Sequence, residues 1–326
     1  MTTLNHAISG GIYMFNRIHP ELRQAVQYAK GLNLQQYRLI RASMAQVYPT
    51  KFDSSLEVLD REIHTNTHSI QIRIYKRKEQ TTLLPGLLWI HGGGYVFGSH
   101  TEDDLLCQRF VLESHCVVVS VNYRLAPEHP YPAALEDCYS ALQWMSEHHS
   151  EIQMDVTKIG IAGASAGGGL TAALALLTKD RQGPKLIFQM PLYPMINDRN
   201  DHFSNKEITA NLPWNYALNE TAWSMYLGNN KNSDQLPIYA AVTRASIEEL
   251  KGLPRTYTCV GQLDPLRDET LAYVTKLAQA GVDVTFHLYA GAYHIFERLN
   301  PKTAIGQHAM NEYIEAVASG LHYTNE

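Results

Sequence analysis

Apolar and polar positions change rhythm along this chain, and the change predicts its architecture. Leu56, Val58 and Asp60 alternate with more polar neighbours, and Ile70, Ile72 and Ile74 alternate with Gln71 and Arg73. A period of two predicts half-buried antiparallel strands at a sheet edge. From about Gly86 the alternation gives way to short, largely apolar runs at residues 87–90, 116–121, 159–162, 186–190, 256–260 and 282–289. Between them, residues 133–145, 170–177, 270–280 and 304–317 carry helical spacing. Strands that are apolar on both faces and alternate with helices predict βαβ units around a mainly parallel sheet. The crossovers are expected to be right-handed.

Two segments fall outside this rhythm. Residues up to about Tyr48 read as helical. One helix begins at His19-Pro20, carries Leu22, Ala25, Val26 and Ala29 at helical spacing, and ends near Gly31. The second segment, residues 196–251, holds a helix over 220–227 closed by Gly228. Its polar stretch, 197–205, is expected to be an exposed loop. The N-terminal segment suits either an ordinary helical layer or part of a lid over a site. The division expected is residues 1–50 and 196–251 as two parts of a helical cap, with 51–195 and 252–326 as the core.

Composition narrows the class. The chain has 326 residues, 45% hydrophobic and 18% charged, which suits a globular enzyme and argues against disorder. A net charge of -5 with no basic run gives no reason to expect nucleic acid or an anionic membrane as partner. Cys107, Cys116, Cys138 and Cys259 form no C-x-x-C pair and read as reduced core thiols rather than disulfides or metal ligands. No apolar run is long enough for a membrane span. Met1 to Gly10 lacks the basic start and apolar stretch of a signal peptide, so a soluble, cytoplasmic protein is expected. No cofactor or metal is expected. The oligomeric state stays open, a homo-oligomer included.

The chemistry is concentrated in four places. Gly163-Ala164-Ser165-Ala166-Gly167 fits G-x-S-x-G and lies between a predicted strand and a predicted helix. In that context the motif is a sharp turn whose small flanking residues expose a nucleophilic serine. No lysine follows as a phosphate-binding loop requires. His91-Gly92-Gly93-Gly94 closes the strand at 87–90. A tetrahedral intermediate carries negative charge, and a loop free of side chains can aim backbone N–H groups at it. Gly92 and Gly93 are the expected donors, joined by Ala166 after the nucleophile; His91 is expected to hold the loop. A serine needs a base, and the base needs a carboxylate to orient it. Asp264 follows the strand at 256–260 and is preferred over Asp268, which is placed to start the next helix. His294 follows the strand at 282–289, whereas His287 lies within it. The order serine, acid, histidine is that of the α/β hydrolases.

These motifs, with Tyr123-Arg124-Leu125-Ala126-Pro127-Glu128, Asp264-Pro265-Leu266-Arg267-Asp268 and His294-Ile295-Phe296, resemble the hormone-sensitive-lipase-like carboxylesterases from about residue 55 to the C-terminus. The resemblance implies an α/β-hydrolase fold with an eight-stranded sheet and a helical cap. It also implies cofactor-free hydrolysis of short-chain acyl esters by Ser165, Asp264 and His294. One departure is Ala164, where the family often has Asp. The 123–128 segment is expected to brace the glycine loop, with no direct catalytic role for Glu128. Competing expectations are a catalytically silent small-ligand receptor on the same fold, an interfacial lipase, and a deacetylase specialised for a sugar or drug ester. Trp214, Trp223 and Tyr226 are expected to pack inside the cap.

Overall fold

The computed structural model describes residues 14–27, 32–44, 50–209, 212–231 and 233–323. Eight strands form one sheet in the order β1-β2-β4-β3-β5-β6-β7-β8. They are β1 (Leu56–His64), β2 (Ser69–Arg77), β3 (Leu84–Ile90), β4 (Val117–Asn122), β5 (Met154–Ala164), β6 (Leu186–Leu192), β7 (Arg255–Leu263) and β8 (Val284–Tyr293). β2 runs antiparallel to both of its neighbours, β1 and β4, and every other neighbouring pair is parallel, so the antiparallel pairing lies at the sheet edge where the period of two predicted it.

Burial explains the patterns. β4 is buried at five consecutive positions because helices cover both faces of the central sheet. β2 alternates, with Ile70, Ile72 and Ile74 inside and Ser69 and Gln71 outside. The last helix, Ala304–Leu321, turns Ala309, Tyr313, Ala316, Val317 and Gly320 inward at helical spacing. Strand ends run beyond their apolar centres: β5 begins at Met154 because its rim residues Asp155 and Met154 pair with Pro85 and Leu84 of β3. Cys116 lies just before β4 rather than in it, and all four thiols are buried and unpaired.

Before the sheet, a short turn at Pro20–Leu22 runs into a helix at Arg23–Gln27. Pro20 takes the first position, as expected; the anticipated end near Ala29 and Gly31 lies outside the described residues. A second helix spans Tyr37–Met44. In the inserted stretch the helix expected over 220–227 starts earlier, at Tyr216. Asn215 caps it by accepting the Leu218 N–H, and Gly228 ends it at φ 54°.

The polar stretch at 197–205 departs in part from expectation: Arg199, Asp201 and Phe203 are exposed, but most of the others turn inward. Asn197, Asp198, Asn200, Ser204 and Asn205 are buried. Each polar side chain or adjacent amide has found a partner within the protein. Arg244 pairs with Asp198, Asn219 Nδ2 donates to Asn200 Oδ1, and Ser204 Oγ and Asn205 Nδ2 both donate to the Pro265 carbonyl. Polarity here is paired inside the fold rather than hydrated.

Among the described residues, no helix is long and apolar enough to cross a membrane.

Candidate active site

The sheet order brings the motifs together. β3 and β5 are neighbours, with Ile90 paired to Gly163, so the loops leaving their C-terminal ends emerge side by side. Ligand crevices of open parallel sheets lie at this end, where strand order reverses. Further along, Leu263 at the end of β7 pairs with Tyr293 at the end of β8. Asp264 and His294 follow those two residues directly and are thereby set next to each other.

Ser165 sits between β5 and the helix Ala166–Asp180 with φ 58° and ψ -118°. Such a conformation costs about 1–3 kcal/mol and persists only when the surroundings enforce it. They do so here: its N–H donates to Leu192 O (2.9 Å), and its carbonyl accepts from Gly169 N (2.9 Å) and Met195 N (3.1 Å). The flanking glycine is obligatory, since a β-carbon on Gly167 would stand 2.1 Å from the Ile90 carbonyl oxygen. Ala164, at the family's frequent Asp position, is buried among apolar neighbours.

Gly92 lies against this elbow, where a β-carbon would be 3.5 Å from that of Ser165. The Gly93 carbonyl accepts from Val96 N (3.0 Å) and Phe97 N (2.8 Å), closing a tight turn. Among the described residues, no hydrogen bond to a protein acceptor occupies the N–H groups of Gly92, Gly93 and Ala166. His91 is buried beneath them and stacks on Tyr123 at 4.1 Å between ring centroids. Its Nδ1 donates to Gly92 O (2.8 Å), and burial lowers its pKa to about 4, so it is neutral near pH 7. Tyr123 donates to the carbonyls of His91 (2.9 Å) and Gly92 (3.3 Å), so the 123–128 segment does brace the glycine loop.

The three side chains chosen from the sequence meet. His294 Nε2 lies 2.8 Å from Ser165 Oγ, and His294 Nδ1 lies 2.7 Å from Asp264 Oδ2. Asp264 Oδ1 accepts the Leu266 N–H (2.9 Å), so both carboxylate oxygens are held. With Nδ1–H donated to the carboxylate, Nε2 presents its lone pair to the serine hydroxyl. All three residues are nearly closed off from solvent, at 5% exposure for Ser165, 0% for Asp264 and 3% for His294. Asp268 instead sits in the first turn of the helix Arg267–Gln279, accepting from Ser204 N and Arg267. His287 stays within β8, 3.4 Å from Glu312.

Other residues shape the site without a recognisable sequence signal. Trp214, expected only to pack in the inserted segment, has its ring centroid 6.0 Å from that of His294. Tyr193 packs edge-on against His294 at 5.1 Å and donates to Glu297. Glu269 accepts the N–H groups of Ile196 and Asn197 at 2.8 and 3.0 Å. Burial, with Asp264 adding in the same direction, holds its carboxyl well above the ordinary range. Its carboxyl oxygen thereby grips the backbone at Ile196 and Asn197, at the root of the inserted segment.

Comparison with known proteins places the fold. A family profile described as alpha/beta hydrolase fold matches residues 87–298. Esterase LipI of Mycobacterium tuberculosis is 38% identical over 203 residues, and the match spans 62% of this chain and 62% of that relative. Carboxylesterase NlhH of the same species is 33% identical over 75% of this chain and 77% of its own length. The solved structure of a bacterial heroin esterase is similar with a TM-score of 0.89 at 31% identity, over 95% of this chain and 99% of that one. The chain belongs to the α/β-hydrolase fold family, in its hormone-sensitive-lipase-like branch of carboxylic ester hydrolases.

Proposed function

We propose that this protein is a serine carboxylesterase acting on short-chain acyl esters, acetyl to butyryl, through Ser165, His294 and Asp264. The observation that carries the reading is the continuous relay from the Ser165 hydroxyl through His294 to Asp264. Ser165 Oγ attacks the ester carbonyl while His294 Nε2 takes its proton. Asp264 holds the imidazole in the required tautomer and stabilises the imidazolium. The N–H groups of Gly92, Gly93 and Ala166 receive the oxyanion. His294 then gives the proton to the leaving alcohol, and water cleaves the acyl-enzyme by the same route in reverse.

The described residues of 1–50 and 196–251 are read as a cap over the core of 51–195 and 252–323; residues 1–13, 28–31, 45–49, 210–211 and 232 lie outside the described residues. The short-chain preference is supported by Trp214, which stands close to both His294 and the glycine loop. In this reading the indole limits the length of the acyl group that the site accepts.

The test is a series of p-nitrophenyl esters with purified protein. Acetate and butyrate should turn over fastest, and Ser165→Ala should lower kcat by roughly 10⁴ or more while the fold survives. Wild-type turnover by that variant, or faster cleavage of laurate than of butyrate, would refute the proposal. The likeness to a heroin esterase favours one refinement, a drug ester as the substrate. Aryl and alkyl acetates compared at equal acyl length decide it.

A further inference from the structure

The helix Tyr37–Met44 lies outside every motif discussed so far, yet one of its side chains reaches the glycine loop. Arg41 Nε donates to the Val96 carbonyl at 2.7 Å and Nη2 to the Ala126 carbonyl at 2.6 Å. Nη1 donates to Glu128 Oε2 at 2.9 Å. The guanidinium lies over the Tyr37 ring, 4.8 Å from its centroid. One planar group thus ties the loop after β3 to the loop after β4, using donors in three directions that only arginine presents.

The place it grips matters. The turn carrying Gly92 and Gly93 is closed by Val96 N and Phe97 N on the Gly93 carbonyl. The carbonyls at the far end of the turn are both paired. Tyr95 O takes the Ala126 N–H at 2.9 Å, and Val96 O takes Arg41. Tyr123 holds the start of the same turn through the His91 and Gly92 carbonyls. The turn is therefore clamped at both ends, and the guanidinium is the clamp at the far end.

We propose that Arg41 is a positioning residue for the oxyanion donors: it fixes the turn from which the Gly92 and Gly93 N–H groups project. This rests on the assignment of those donors under the proposed function. Donor alignment matters most in the transition state, so loss of Arg41 should lower kcat more than it raises KM.

The experiment compares full-length wild type, Arg41→Ala and Arg41→Lys on p-nitrophenyl acetate and butyrate. It also measures inhibition by a trifluoromethyl ketone, whose adduct with serine carries an oxyanion. Arg41→Ala should lose about 10-fold in kcat with KM within about twofold, and should bind the ketone about 10-fold more weakly. Arg41→Lys keeps the charge and the helix, so it should fold with near wild-type melting temperature yet lose several-fold in kcat. Wild-type kcat in Arg41→Lys would overturn the proposal. So would a loss in Arg41→Ala that falls on KM and melting temperature while ketone affinity is unchanged. A wild-type chain without turnover would instead sink the esterase reading, and this inference with it.

Discussion

Gly94 and Trp214 are in direct contact: a β-carbon on the glycine would stand 2.6 Å from Cη2 of the indole. The same indole lies tilted beside His294. Its Nε1 donates to Asn219 Oδ1 at 3.1 Å, and Asn219 in turn donates to Asn200, so the ring has a set orientation. A large flat side chain thus spans the gap between the glycine loop and the histidine.

Trp214→Ala should therefore relax acyl selectivity. The ratio of kcat/KM for octanoate over butyrate should rise roughly tenfold or more, since each buried methylene is worth about 1–3 kcal/mol in such pockets. A chain-length profile measures it, and an unchanged ratio would remove Trp214 from the pocket.

Asp264 and Asp268 are separated by one turn of chain but differ in what they touch. Asp264→Asn should lower kcat by about 10⁴ with little loss of stability, because the imidazole loses the carboxylate that sets its tautomer. Asp268→Asn, which disturbs only contacts to Ser204 and Arg267, should stay within roughly tenfold of wild type. Steady-state kinetics of both variants separates the two carboxylates.

Gly167→Ala should be damaging although it adds one methyl group. The new carbon would overlap the Ile90 and His91 carbonyls, at 2.1 and 2.4 Å, and backbone on both sides leaves nothing soft to move. Destabilisation of about 3 kcal/mol in urea unfolding is expected, together with loss of activity.

His91 should make the fold acid-sensitive. Its folded pKa, lowered to about 4 by burial, lies below the ordinary 6.5. Its Nε2 is buried without a partner, so a second proton would place an unpaired charge there. The unfolded chain takes up that proton first. Stability is thus full above about pH 6.5 and falls as pH drops toward 4, by on the order of 3 kcal/mol. His91→Phe can still stack on Tyr123 but cannot titrate. Its melting temperature should depend less on pH than that of wild type between pH 7 and 4.5, and parallel curves would contradict this.

What the sequence revealed and what it hid follow from range. The parallel strands were legible because the centres of β3 to β6 are buried on both faces and leave short, largely apolar runs. The placement of Ser165 and Gly92 was legible because a sharp strand-to-helix turn and a side-chain-free loop are local devices, written in consecutive residues. Asp264 and His294 needed only the chain order added. Trp214 and Arg41 were not legible, because their importance lies in contacts with Gly94 and with the Val96 carbonyl, far away in sequence. The burial of Asn197, Asp198 and Asn200 was missed for a related reason. Asn and Asp look the same whether water or a distant amide satisfies them, and Arg244, Asn219 and Glu269 were the partners here.

The grip of Glu269 on Ile196 and Asn197 also decides where the inserted segment can bend. Its exit is tied down too, because Thr243 donates to the Ile196 carbonyl and Lys276 donates to the carbonyls of Thr243 and Ala245. Both roots are riveted to the helix that carries Glu269 and Lys276. If a door swings to admit substrate, its hinges lie beyond Asn205 and before Thr243, and the frame holding Asp264 stays still while it moves.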